Sequence, residues 1–192
     1  MKKSKEIISD KVSVVNQILP HVNKWAWDLF IDGAANNWMP TEISMAKDIE
    51  QWKSSLLSED EKLVVKRCLG FFAGSESLVA NNLLLSVFKF VTDPECRQYI
   101  LRQAYEESLH NLTVVYICDS LSLDINEVYE AYSSIPSIKA KDDFLMNITT
   151  DINRADFNIN TIEGKREFLR NIITYYVICE GIFFFSGFAM LL

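Results

Sequence analysis

Three stretches, residues 59–91, 94–121 and 161–192, carry apolar side chains at helical spacing. In the middle of each, the apolar residues run nearly all the way round the helix. Helices of that kind have no wet face, so they are expected to bury one another in a bundle. No segment of five or more residues alternates convincingly as a strand, and glycine (6) and proline (4) are too few to punctuate an all-β chain. The expected class is all-α with long helices. A length of 192 residues suits a single domain, 1–192, with a sizeable core.

Start and stop signals place the boundaries. Ser58 followed by Glu61 forms a capping box that opens the first long helix, with no helix assigned before it. In "TDPE", Asp93 is the expected N-cap and Pro94 the first helical residue of a helix reaching Leu121. Asp124 and Glu127 cap a short helix to about Ser133, and Pro136 breaks the chain before another over 137–150. "DINRADFNIN" reads as a loop, and Asn160 with Glu163 opens the last helix.

Charge and composition exclude several roles. A net charge of −7 argues against nucleic acid as a partner, because phosphate binding needs clustered Lys and Arg. Cys68, Cys96, Cys118 and Cys179 are widely spaced within apolar helical stretches, which suits small core residues in a reducing cytoplasm rather than disulfides or a zinc set. The N-terminal "MKKSKEIISDKV" has basic residues without an apolar run behind them, so it is not a secretory signal. Residues 172–192, "IITYYVICEGIFFFSGFAMLL", are long enough to span a bilayer, but they carry Glu180 near the middle. A carboxylate there costs roughly 2.5–3.5 kcal/mol on insertion scales, so the expectation is no membrane and a helix buried on all sides by protein.

Each long helix sets a carboxylate into its apolar middle: Glu76 in the first, Glu107 in the second and Glu180 in the third. His110 lies three residues beyond Glu107 and therefore on the same helical face. A lone buried carboxylate costs several kcal/mol, so each must be paired, protonated or metal-bound. Individually they have ordinary explanations: Ser75 or Asn81 beside Glu76, and Arg102 or Lys89 for Glu107. Together they match most of a known pattern. Helical bundles holding two metal ions draw one Glu from each of two helices and a Glu-x-x-His from each of the other two. Carboxylates with imidazole suit iron or manganese, and the lack of thiolates disfavours structural zinc. A second Glu-x-x-His is missing, since the other histidine, His21, follows Ile18 and lies outside the long helices, where it is expected to be surface or structural.

At these residues the chain resembles the small subunit of class I ribonucleotide reductase, in its N-terminal part and most closely the chlamydial-type branch. The stretches that carry the resemblance are "KWAWDLFIDGAANNWMPTEISMAKDIEQWKS", "LGFFAGSESLVANNLLL", "RQYILRQAYEESLHNLTVVYICDSL", "IKAKDDF" and "EGIFFFSGFAML", which span nearly everything from Lys24 onward. The resemblance implies a ferritin-like helical bundle and a di-metal centre, manganese–iron first, with di-iron or di-manganese as alternatives. Glu76, Glu107 and His110 would ligate one metal, Glu107 bridging, and Glu180 the second. Trp38 in "NNWMPTE" is similar to the tryptophan that passes an electron toward the large (alpha) subunit.

Two departures stand out. Most members have a tyrosine one turn past the histidine and oxidise it to a radical, whereas this chain has Val114, which has no accessible electron to give. Tyr116 lies roughly 200° round the helix from it and is not expected to substitute. Family members also continue through another helix with the second Glu-x-x-His. The chain is therefore expected to be a fragment, inactive alone, completed by a companion polypeptide and homodimeric when complete. Two other classes remain open at this stage: a different di-metal oxidase of the same superfamily, and a non-catalytic structural fragment.

Overall fold

A computed structural model describes residues 6–192. Helices α1 (Lys24–Ala35) and α2 (Ala46–Lys53), separated by a 3-10 turn at Pro40–Glu42, precede α3 (Glu59–Asn81). That helix continues unbroken as a π-helical segment, Asn82–Val87. Next come α4 (Pro94–Leu121), the short corner helices α5 (Ile125–Tyr129) and α6 (Ala131–Ser134), and α7 (Pro136–Asn153). The last rod is composite: α8 (Ile162–Ile173), a π-helical segment Thr174–Phe184, and α9 (Phe185–Leu191). Among the described residues no strand forms, and the one β-bridge joins Ile8 to Val91.

Local chemistry explains most of these ends. Ser58 Oγ accepts from the Glu61 amide while the Glu61 carboxylate accepts from the Ser58 amide, closing the expected capping box. Asp93 caps α4 by accepting from the Cys96 amide, and Pro94 occupies the first turn, where a missing N–H costs nothing. α4 stops where Ser122 turns left-handed, at φ 53°. At the last helix the cap is Thr161 rather than Asn160: its Oγ1 accepts from the Gly164 amide at 3.0 Å. The carbonyl of Asn158 lies only 1.9 Å from where a Cβ on residue 164 would stand, so this tight entry requires glycine.

The core forms where α3 is wrapped by its neighbours. Cys68 to Ala73, Ser75, Glu76 and Val79 are all buried, so this helix is enclosed nearly all round, as expected. α4 packs against both α1 and α3, while α7 and the final rod cover the other flank. Phe71, Phe72, Phe184 and Phe188 stack between α3 and the end of the chain, with centroids 5.1 to 6.4 Å apart. Phe71, Phe72 and Phe184 are buried and Phe188 half-exposed, and burying three such rings contributes several kcal/mol by area alone.

One expectation is corrected. The helix over 161–192 is not buried on all sides: Ile173, Val177, Ile182, Phe185 and Met190 are each more than half exposed on its outer face. Only the opposite stripe, with Phe168, Tyr175, Cys179 and Phe184, enters the core. Apolar character all round marked which residues avoid water in a bundle but did not say that this chain supplies both covers. Two helices, Glu59–Val87 and Ile162–Leu191, are long and apolar enough to cross a membrane, and the first is mostly buried within the protein.

Candidate metal centre

Glu76 projects from α3, and Glu107 and His110 project from α4, where those two helices pack. The i, i+3 spacing sets Glu107 and His110 over one another, and α3 brings Glu76 to the same point. His110 Nδ1 lies 3.0 Å from Glu107 Oε2 and 3.1 Å from Glu76 Oε2. One atom from each of the three residues fits within 4.8 Å of the others. Glu76 and Glu107 are buried, and the imidazole is partly open. Neither carboxylate uses the neighbours that sequence offered it: Ser75 bonds to Asp142, and Arg102 pairs with Glu106.

The electrostatics are those of a cation site holding a proton. Burial pushes the Glu76 carboxyl up to about 7, against the pull of the His110 hydrogen bond. Burial alone would lower the His110 pKa, but its hydrogen bonds to the Glu107 and Glu76 carboxylates prevail and raise it to about 10. One imidazolium is thus shared by two carboxylates. A cation placed among these atoms would take over the role of that proton.

Glu180 stands outside this three-residue group but within its electrostatic reach. Burial raises its carboxyl to about 7, helped by the negative charges of Glu107 and Glu76. Its Oε1 is buried without a hydrogen-bond partner among the described residues. The backbone carrying it is π-helical, and π distortions within helices are frequent at functional sites. Nearby, the Tyr176 phenol donates to Gln103 Oε1, and burial pushes its pKa up, which keeps it neutral.

Val114, one turn past His110, is buried in the core. Tyr116 turns away from the cluster, its hydroxyl donating to the Ile43 carbonyl at 2.8 Å. Trp38 reaches the cluster from the segment between α1 and α2. Its ring centroid lies 6.2 Å from that of His110, and its indole N–H donates to Glu106. Glu106 also accepts from Arg102, whose Nε donates to the Gly33 carbonyl at 2.9 Å. Sequence reasoning overlooked this clamp. The acidic doublet at 106–107 was its only trace, because only the packing of α1 on α4 brings Trp38 alongside. His21 takes a structural place, 3.6 Å from the buried Glu95 and against the Trp27 ring.

Fold and site together define an α-helical bundle that turns carboxylates and an imidazole inward, the ferritin-like arrangement. Comparison with known proteins narrows this further. The family described as "Ribonucleotide reductase, small chain" matches residues 15–192, and the chain belongs to it. It is 54% identical over 178 residues to the ribonucleoside-diphosphate reductase subunit beta of Chlamydia pneumoniae, covering 93% of this chain and 51% of that one. The solved ribonucleotide reductase R2 subunit from Clostridium botulinum superposes with a TM-score of 0.81 over 97% of this chain and 56% of the other, at 23% identity. A dimanganese(II)-NrdF from Streptococcus sanguinis superposes with a TM-score of 0.56 at 20% identity, covering 73% of this chain and 48% of that one. The chain thus spans about half the length of the curated relative that it matches at 54% identity.

Proposed function

We propose that this chain is the metal-holding part of a ribonucleoside-diphosphate reductase small subunit, which stores the oxidising equivalent used to make deoxyribonucleotides. The observation that carries the reading is the convergence of Glu76, Glu107 and His110 within 4.8 Å in a family member, with Glu180 within electrostatic reach and its Oε1 without a hydrogen-bond partner among the described residues. The donor set fits the group: carboxylate oxygens and one imidazole suit manganese or iron. Glu76, Glu107 and His110 would hold one ion, and Glu180 would help to hold the second. When bound, such a pair supplies one-electron oxidising power.

The residues of the chain do the rest. The buried carboxylates supply negative charge that favours higher-valent metal. Val114 leaves no phenol at the position one turn past His110. Trp38, held by Glu106 beside the His110 ring, is the electron path toward a separate large subunit carrying the substrate. Manganese–iron is the pairing we favour, because no tyrosine is available there to store the hole. The second ion needs ligands that we assign to a further Glu-x-x-His segment elsewhere in a homodimeric, cytoplasmic assembly without membrane or nucleic acid. Residues 1–192 form one ferritin-like domain of it.

Titration of the metal-free chain with Mn(II) or Fe(II), followed by calorimetry, tests this reading. Saturable binding that is lost in Glu76→Ala and in His110→Ala is expected. Binding unchanged in both variants overturns it.

A further inference from the structure

We propose that a second cavity, between α3, the α5–α6 corner and α7, binds a small amine whose ammonium group pairs with Asp142. This cavity has a volume of about 300 Å³ and is walled by Gly74, Leu78, Tyr129, Tyr132 and Met146, with Asp142 in its lining. Apart from the Ser77 hydroxyl, its walls are otherwise apolar or aromatic, and the site shares no residue with the carboxylate–histidine cluster.

Asp142 is 2% exposed, and its two oxygens have unequal fates. Oδ1 accepts from Ser75 Oγ at 3.1 Å, whereas Oδ2 is buried with no hydrogen-bond partner among the described residues. A Cβ on Gly74 would stand 3.2 Å from Oδ2 and 3.3 Å from the Tyr132 Cβ, so the missing side chain is what leaves room where the free oxygen meets the cavity wall. The cations nearest in sequence form no ion pair with Asp142, although the Lys141 charge acts to lower its pKa. The Lys141 ammonium sits 4.6 Å over the Phe71 ring, and Lys139 pairs with Asp143. Burial raises the Asp142 carboxyl to about 6, which still leaves it mostly ionised at neutral pH.

A buried carboxylate with one oxygen lacking a hydrogen bond and no direct ion pair costs several kcal/mol unless something supplies charge and a donor. An anion would worsen that cost. A divalent cation needs several oxygen ligands, and the cavity offers one carboxylate. An ammonium group supplies both charge and N–H donors, and the Tyr129 and Tyr132 rings favour a cation with an apolar body. The cavity volume, at the small end for ligand sites, limits that body to about the size of one aromatic ring with a short arm.

Calorimetry with 2-phenylethylamine, 2-phenylethanol and phenylacetate, in the presence of a chelator, tests the assignment on the native chain. The amine should bind saturably at one site, with the alcohol and the acid weaker by about tenfold or more. Asp142→Asn, which keeps the bond to Ser75, should lose about tenfold in amine affinity, and Gly74→Ala should lose affinity by filling the space. No saturable amine binding, equal binding of amine and alcohol, or an amine affinity unchanged in Asp142→Asn overturns the proposal. Should that variant not fold, the three-ligand comparison on the native chain decides alone.

Discussion

Two buried polar clusters bridge α3 and the last helical rod, and they are built on opposite principles. At the start of the first π-helical segment, Asn82 and Asn171 exchange amide hydrogen bonds at 2.9 Å in both directions. Thr149 adds a bond to Asn82 Oδ1 and another to the Tyr175 hydroxyl, at 3.2 and 2.6 Å. Neutral amides have satisfied one another. Six residues earlier on α3, Glu76 joins Glu107 and His110 around one shared proton, while Glu180 across from them keeps a buried oxygen unpaired. The first cluster fixes how the helices sit against each other. The second spends part of that stability to hold negative charge where it is not wanted in the absence of a cation. A satisfied network rigidifies a fold, and an unsatisfied one marks where a ligand completes it.

Breaking the first cluster should have the largest effect. Asn82→Ala removes both amide bonds to Asn171 and the one to Thr149, so we expect a loss of about 3 kcal/mol in urea unfolding. Metal affinity, referred to the folded fraction, should change far less. If instead metal binding disappears while stability holds, the division of labour between the clusters is wrong.

Val114→Tyr tests how tightly the core is packed one turn past His110. Val114 is 4% exposed, so a phenol there overpacks the core and should cost about 2 kcal/mol. A neutral effect in thermal melts would reveal slack in the core at that position.

Acid should favour the second cluster and leave the first untouched. Glu76 and Glu180 are each raised to about 7, so the folded chain binds more protons than the unfolded one between about pH 4.5 and 7. Their penalty is absent at low pH and complete above pH 7. His110, raised to about 10, contributes stability below its ordinary pKa that is lost as pH rises toward 10. All three act in one direction, so the melting temperature of the metal-free chain should fall from pH 5 to pH 8. With Mn(II) saturating, the trend should flatten or reverse, because the ion competes with those protons. A metal-free melting temperature that rises over this range would contradict the electrostatic account.

The smallest effect belongs to Glu180→Gln. Removing an unpaired charge should stabilise the metal-free chain at pH 8 by about 1 kcal/mol, after allowing for solvent screening, and do almost nothing at pH 5. Paired melts at the two pH values measure it. Destabilisation at pH 8 would mean that the carboxylate has a partner in solution.

Much of the architecture was written in local chemistry. The capping box at Ser58, the Asp93–Pro94 start and the Asp124 cap all lie where the sequence sets them, because each needs only residues within one turn. The short helix expected to reach Ser133 instead splits at Glu130 into two. α1 and α2 gave no such signal. Neither has a side-chain cap, and Ala26 is the only residue of the two that is buried. α1 is held by α4, partly through the Arg102 bond to the Gly33 carbonyl. The π-helical turns at Asn82–Val87 and Thr174–Phe184 were equally silent, since an extra residue per turn leaves no compositional mark.

By itself, the sequence determined that this chain is helical, that Glu107 and His110 share a face, and that each long helix must account for a carboxylate in its apolar middle. Those conclusions follow from helical periodicity and from the cost of burying charge, both of which operate within single helices. Only the tertiary structure decided that Glu76 meets His110 rather than Ser75 or Asn81, that Arg102 pairs with Glu106, which also accepts from Trp38, rather than with Glu107, and that Glu180 comes within electrostatic reach of the cluster with an oxygen lacking a hydrogen bond among the described residues. Partner choice between helices depends on their relative rotation and register. Those are set by the summed packing of many side chains, which no short stretch of sequence encodes.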